Sequence, residues 1–182
     1  MSRSFTIRPA RPEDVPAVVS MVYQLAEYER AAPRECQLTE EHLRAALFAP
    51  APAVFCHLAI DDSGGKADAS GEPLGMSLWF LNFSTWTGRH GIYLEDLYVT
   101  PSARGRGVGR ALLGALAQEC VRRGYARLDW WVLHWNPARD FYAALGAVPM
   151  DDWIPYRLTG GALERLAEAT GQEGTYNLAP TA

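Results

Sequence analysis

The stretch YLEDLYVTPSARGRGVGRALL, residues 93–113, carries a strand, a glycine-rich turn and the start of a helix. From Ile92 to Val99 the residues are β-branched, aromatic or aliphatic apart from Glu95 and Asp96. That composition reads as a central strand covered on both faces. Arg104-Gly105-Arg106-Gly107-Val108-Gly109 follows, with the spacing R-x-x-G-x-G, and opens an alanine- and leucine-rich helix from about Arg110 to Arg123. Gly124 ends it as a C′ glycine. Glycines let backbone N–H groups approach an anion closely, and a helix N-terminus adds unpaired donors and positive dipole. Arg104, Arg106 and Arg110 add positive charge to the same place. For the glycines alone, a tight strand-to-helix turn with solvated arginines is the favoured reading. A Walker loop is excluded because no Gly-Lys-Ser/Thr follows, and the G-x-G-x-x-G dinucleotide spacing is absent.

Outward from this stretch, the chain reads as one α/β domain without repeats or linkers. Upstream, Phe5–Arg8 is a short strand, and Pro12, Glu13 and Asp14 start a helix that runs to about Arg30 with apolar residues at helical spacing. Thr39 can cap a second helix carrying Leu43, Ala46 and Leu47 on one face. Ala53–Ile60, Leu74–Phe83 and Gly91–Thr100 are strands, expected as antiparallel meander neighbours. Downstream, Leu128–Leu133 is a strand and Pro137 opens a helix that stops at Gly146. A last strand over Tyr156–Leu158 precedes a short helix from about Gly161 to Ala169, and the tail from Gly171 is expected to be loose. The predicted core spans about residues 5–168 of a single domain covering 1–182.

Composition narrows the chemistry. The 182 residues carry a formal net charge of −4, which speaks against non-specific nucleic-acid binding. Of 17 basic residues only Lys66 is a lysine. Cys36, Cys56 and Cys120 are too few and too widely spaced for a disulfide scaffold or a structural zinc site, so no metal is expected. No stretch approaches the roughly 18 apolar residues of a membrane span, and residues 1–10 contain no apolar signal region. The expectation is a cytoplasmic protein that handles a small molecule.

The stretch YLEDLYVTPSARGRGVGRALL resembles the acetyl-coenzyme A signature of GNAT-superfamily N-acetyltransferases. WWVLHWNPARDFYAALGA, residues 130–147, resembles that superfamily's later strand–Asn–helix segment, and the N-terminal TIRPARPEDV matches its opening. STWTGRHGIYLEDLYV, residues 84–99, is most similar to the spermidine/spermine and thialysine acetyltransferase branch. The resemblance implies a twisted, mixed, mostly antiparallel sheet flanked by helices and splayed between its fourth and fifth strands, with acetyl-coenzyme A wedged into the split. It implies that the pantetheine arm pairs with the backbone of Leu97 and Val99. The pyrophosphate would meet amides from Arg104, Gly105, Arg106, Gly107, Val108 and Gly109, with Arg110 beside them, and Asn136 would hold the cofactor from the fifth-strand side. A homodimer is the usual assembly of the branch.

Acetyl transfer to an amine needs a base for the amine proton, stabilisation of the oxyanion and a proton for the departing thiolate. Strand alternation puts the Glu95 and Asp96 carboxylates on opposite faces; they suit either catalysis or pairing with arginines at a strand end. The resemblance implies Glu95 as a base acting through water and Asp96 as a recognition group for the cationic amine. Tyr142, in Phe141-Tyr142, suits a core aromatic; the resemblance implies instead that it protonates the coenzyme A thiolate. An ordinary tyrosine, with pKa about 10, holds its proton near pH 7. Trp86, Asp152 and Tyr156 are candidates for the acceptor pocket, the aromatic faces suiting a cation.

Two positions depart from the polyamine-acetylating members: Ser84 and Ile154 stand where those carry acids. A long polycation needs several spaced carboxylates, so the expected acceptor is a short amine or amino-acid side chain. The alternatives are a non-catalytic coenzyme A-binding module and an acetyltransferase acting on a protein or antibiotic amine.

Overall fold

In the computed structural model, which describes residues 5–32, 34–62 and 71–169, five strands form one sheet whose spatial order follows the chain. They are β1 (Phe5–Pro9), β2 (Val54–Asp61), β3 (Pro73–Ser84), β4 (Arg89–Val99) and β5 (Leu128–Trp130). The first four pair antiparallel, and β5 joins β4 in parallel. The helices are α1 (Val15–Tyr28), α2 (Glu40–Phe48), α3 (Val108–Arg123), α4 (Ala138–Ala144) and α5 (Gly160–Ala169). The mixed, mostly antiparallel sheet flanked by helices is therefore as expected. The chain divides into two compact units, residues 1–133 with the sheet and α1 to α3, and residues 134–182 with α4 and α5.

Register explains the two faces of the sheet. Cys56, Leu78 and Asp96 stand opposite one another on β2, β3 and β4, as do Leu58, Met76 and Tyr98. All but Asp96 are buried in a core with Val15, Val18 and Met21 of α1 and Leu43 and Leu47 of α2. On the other face, Ala59, Leu97 and Val99 pack with Val108, Ala111 and Leu112 of α3. Each fully buried Leu, Ile or Val contributes roughly 1.5–3 kcal/mol relative to exposure. Helix starts follow local chemistry: the Thr39 hydroxyl accepts from the His42 backbone N–H at 3.1 Å at the head of α2.

Asp14, buried ahead of α1, accepts from two guanidinium nitrogens of Arg8, at 2.6 and 2.9 Å, and from the Arg11 backbone N–H at 2.6 Å. Burial alone raises its pKa, but the hydrogen bonds from Arg8 and Arg11 outweigh it and hold the carboxyl below its ordinary value. The stability so gained is present above the unfolded-state pKa, near 3.9, and is lost as pH falls through the lower folded value. Asp14→Ala should cost about 3 kcal/mol at pH 7, because it strands Arg8 without its carboxylate. In urea melts the gap from the parent should narrow at pH 3; an equal gap at both pH values would remove this account.

Three differences from the sequence reading bear on the site. α3 begins at Val108, two residues early, because Gly107 caps it with φ of +84°. β5 stops at Trp130 instead of Leu133. No strand forms over Tyr156–Leu158; residues 147–158 contain no strand, and Tyr156 is 91% exposed. A strand exists only where a partner completes its ladder, and these residues have the composition without the pairing. The tail from Gly171 lies outside the described residues.

Candidate active site

Along β4, Leu78 faces Asp96 while the next β3 residue, Trp79, faces Leu94. Glu95 is therefore the extra residue of a β-bulge. A bulge breaks the alternation of side chains and re-aims its residues. Asp96 shares the α1 face with Tyr98, and Glu95 is exposed at the break. The β4–β5 ladder pairs only Ile92, Tyr93 and Leu94 with Leu128, Asp129 and Trp130. It ends where the bulge begins, so from Glu95 to Val99 the outer side of β4 has no ladder partner among the described residues.

The Asp96 carboxyl is pushed up to about 6, first by burial and then by the charges of Glu95 and Glu29. Glu29 caps the C-terminal end of α1, and burial raises its own pKa. Glu29 thus joins Glu95 and Asp96 in one electrostatic group. Sequence reasoning missed it because a helix-ending glutamate carries no motif or periodicity that separates it from a solvated one.

The glycine-rich turn forms after β4. Gly105 and Gly107 have φ of +77° and +84°, and a Cβ on either meets nothing within 4 Å. Their requirement is backbone conformation, since space beside them is open. The first turn of α3 presents the N–H groups of Val108, Gly109 and Arg110, which have no intrahelical acceptor. Arg106 lies 3.8 Å from Asp61. Arg104 turns back on the protein: its Nε donates to the Val99 carbonyl at 3.2 Å, and its guanidinium sits 5.2 Å above the Tyr28 ring. The backbone of Leu97 and Val99 is the stretch expected to pair with the pantetheine arm, and Arg104 already donates to the Val99 carbonyl there. Trp86 sits in the β3–β4 connection, at the far end of β4 from this turn, and is 87% exposed.

The remaining candidates belong to the second unit. The Asn136 carboxamide oxygen accepts from the Ala138 backbone N–H at 2.9 Å, closing an Asx turn just ahead of α4. Tyr142 is half-buried on α4, its ring 5.3 Å from that of Phe141. Its carbonyl accepts from Leu145 and Ala147, at 3.0 and 3.2 Å, which fastens the turn after α4. Asp152 and Tyr156 are exposed in the segment that follows.

Residues 21–147 match the acetyltransferase (GNAT) family. Over 170 residues the chain is 36% identical to a thialysine N-epsilon-acetyltransferase of Bos taurus, covering 88% of this chain and 96% of that protein. It is 29% identical to an L-ornithine N5-acetyltransferase of Arabidopsis thaliana, covering 88% of this chain and 86% of the relative. Among solved structures, an integron cassette protein from the mobile metagenome of V. cholerae superposes with a TM-score of 0.72 at 26% identity, covering 92% of this chain and 99% of that one.

Proposed function

The chain belongs to the acetyltransferase (GNAT) family, and from that premise we propose that it moves an acetyl group from acetyl-coenzyme A to a primary amine of a small molecule of the thialysine, diamine or amino-acid type. The observation that carries the reading is the break in β4: a bulged glutamate and a half-buried aspartate where the β4–β5 ladder ends, followed by a glycine-rich turn at a helix N-terminus. Open backbone on β4 suits an amide-bearing arm, and the first turn of α3 suits a pyrophosphate. The family match runs across the boundary between the two compact units, which supports one working acetyltransferase domain.

In this mechanism the amine nitrogen attacks the thioester carbonyl, the C–N bond forms and the C–S bond breaks. Glu95 takes the amine proton through a water molecule, and the Tyr142 hydroxyl protonates the leaving thiolate. Asp96, with Glu29 and Glu95 near it, orients the ammonium of the incoming amine. Asn136 holds the co-substrate, and Trp86, Asp152 and Tyr156 contribute to acceptor binding.

The reading includes a homodimer and a cytoplasmic location. For the dimer, the support is apolar surface on the second unit: Val148, Met150, Ile154, Leu163 and Leu166 are all more than half exposed. Large apolar side chains exposed in this number suit an interaction surface. For the location, the support is three cysteines carried as free thiols, as a reducing compartment keeps them.

An amine panel read by free-thiol release tests the activity. Thialysine and short diamines should exceed spermine about tenfold in kcat/KM, since a charge-assisted hydrogen bond contributes about 1.5–3 kcal/mol and the long polycation lacks its extra partners. Faster turnover of spermine would overturn the acceptor assignment. No thiol release with any amine, alongside intact coenzyme A binding, would leave a non-catalytic module.

A further inference from the structure

A groove of about 420 Å³ opens at the C-terminal end of α3. α3 spans 16 residues, roughly 24 Å, so this groove lies a full helix length from the glycine-rich turn at the other end. Its floor is the α3 face of the sheet, where Phe55 and Trp79 stack with ring centroids 4.5 Å apart beside His57 and Leu81. Leu47 and Phe48 of α2 also line it, as do Glu119, Arg122, Arg123 and Tyr125. The volume falls within the roughly 300–1,000 Å³ of small-molecule sites, and an apolar floor with a few polar groups is their usual composition.

The polar groups share one character. The Trp79 indole can only donate, and it donates to His57 Nδ1 at 3.0 Å. The neutral imidazole therefore carries its proton on Nε2 and is a donor there. Burial keeps it neutral by lowering its pKa. Glu119 is the one carboxylate of the lining, and both of its oxygens are taken: Oε2 by Arg122 at 2.6 Å and Oε1 by Arg123. Each guanidinium has five N–H donors and spends only some of them there. Two arginines held together by one glutamate leave a net positive rim, with side chains 66% and 52% exposed. The groove thus combines an aromatic floor with a donor-rich rim.

We infer that this groove is a binding site for a small amphipathic anion, a carboxylate or sulfonate on an aromatic or branched apolar body, separate from the acetyl-transfer site. The ring system lies on Phe55, Trp79 and Leu81, and the anion meets Arg122 and Arg123. Charge complementarity selects this occupant: a cationic amine would face two guanidiniums, and a neutral apolar molecule would leave the rim unused.

The probe is 1-anilinonaphthalene-8-sulfonate, titrated by fluorescence into the full chain with saturating coenzyme A present. One site per chain should remain that coenzyme A does not displace. Arg122→Gln/Arg123→Gln should weaken it about tenfold or more, the value of a charge-assisted hydrogen bond. Leu81→Glu, which puts a carboxylate on the floor, should weaken it similarly. N-phenyl-1-naphthylamine, the uncharged analogue, should bind the parent and the double variant alike. Circular dichroism and melting establish that the variants are folded, and Arg122→Gln alone, with a smaller loss, serves if the double variant is not. Equal sulfonate affinity in parent and folded variants, complete displacement by coenzyme A, or equally tight binding of the neutral analogue each overturn the inference. So does a site that disappears as the chain self-associates, which would make the groove an interface with a second copy.

Discussion

Tyr142→Phe should lower kcat about 100-fold or more, the usual range for losing a general acid, while coenzyme A affinity is unchanged. Phenylalanine keeps the ring that lies against Phe141 and loses only the hydroxyl, so packing on α4 is preserved. The effect belongs in kcat, because the proton is needed only as the C–S bond breaks. A donor whose thiol is a stronger acid leaves without that proton and should recover part of the loss. A full rate with phenylalanine would return Tyr142 to the role of a packed aromatic.

Asp96→Asn should make the protein more stable and a poorer enzyme. Burial and the charges of Glu95 and Glu29 push the Asp96 carboxyl up to about 6. A carboxyl raised on folding stabilises the native state below its unfolded value, near 3.9, and that contribution is lost as pH rises through about 6. At pH 7.5 the parent carries the cost of an ionised, partly desolvated carboxylate; asparagine removes it. The gain is about 1–3 kcal/mol, since one pKa unit corresponds to about 1.4 kcal/mol. It should shrink as pH falls toward 4. The same substitution should raise the amine KM about 10- to 100-fold by removing a charge-assisted contact. In the parent, acceptor affinity should improve as pH rises through about 6, and the variant should lose that step. A variant that melts lower at pH 7.5, or keeps the parent KM, would contradict this role.

The legible part of the fold is the part governed by local rules. The meander from β2 to β4 follows period-two patterning and turn residues. α1, α2 and α3 follow apolar spacing, the Thr39 cap and Gly124, whose φ is +68°. The misread parts depend on distant partners. Tyr156–Leu158 has strand composition and no ladder, and Leu128–Leu133 pairs only as far as Trp130. At the candidate site, Glu95 and Asp96 were legible as charges in an apolar strand, but the bulge between β3 and β4 was not. An apolar strand with two adjacent charges looks the same in sequence with or without an unpaired residue. Glu29 entered through three-dimensional proximity, and Asn136 acquired a local duty in the turn ahead of α4 that its motif did not suggest.

The extra residue on β4 also fixes a parity. Ile92 and Leu94, at even positions, stand opposite Leu81 and Trp79 on the same side of the sheet as Leu97 and Val99, at odd positions. The numbering changes phase once, at Glu95, because that residue has no partner on β3. Losing Glu95 by substitution removes a carboxylate; losing it by deletion would close the bulge and leave Leu97 and Val99 toward α3 and Tyr98 toward α1, because Leu94 and Asp96 already stand opposite adjacent β3 residues. The residue that carries the candidate base is therefore the one residue of β4 that the ladder does not need, and its loss is a change of chemistry before it is a change of fold.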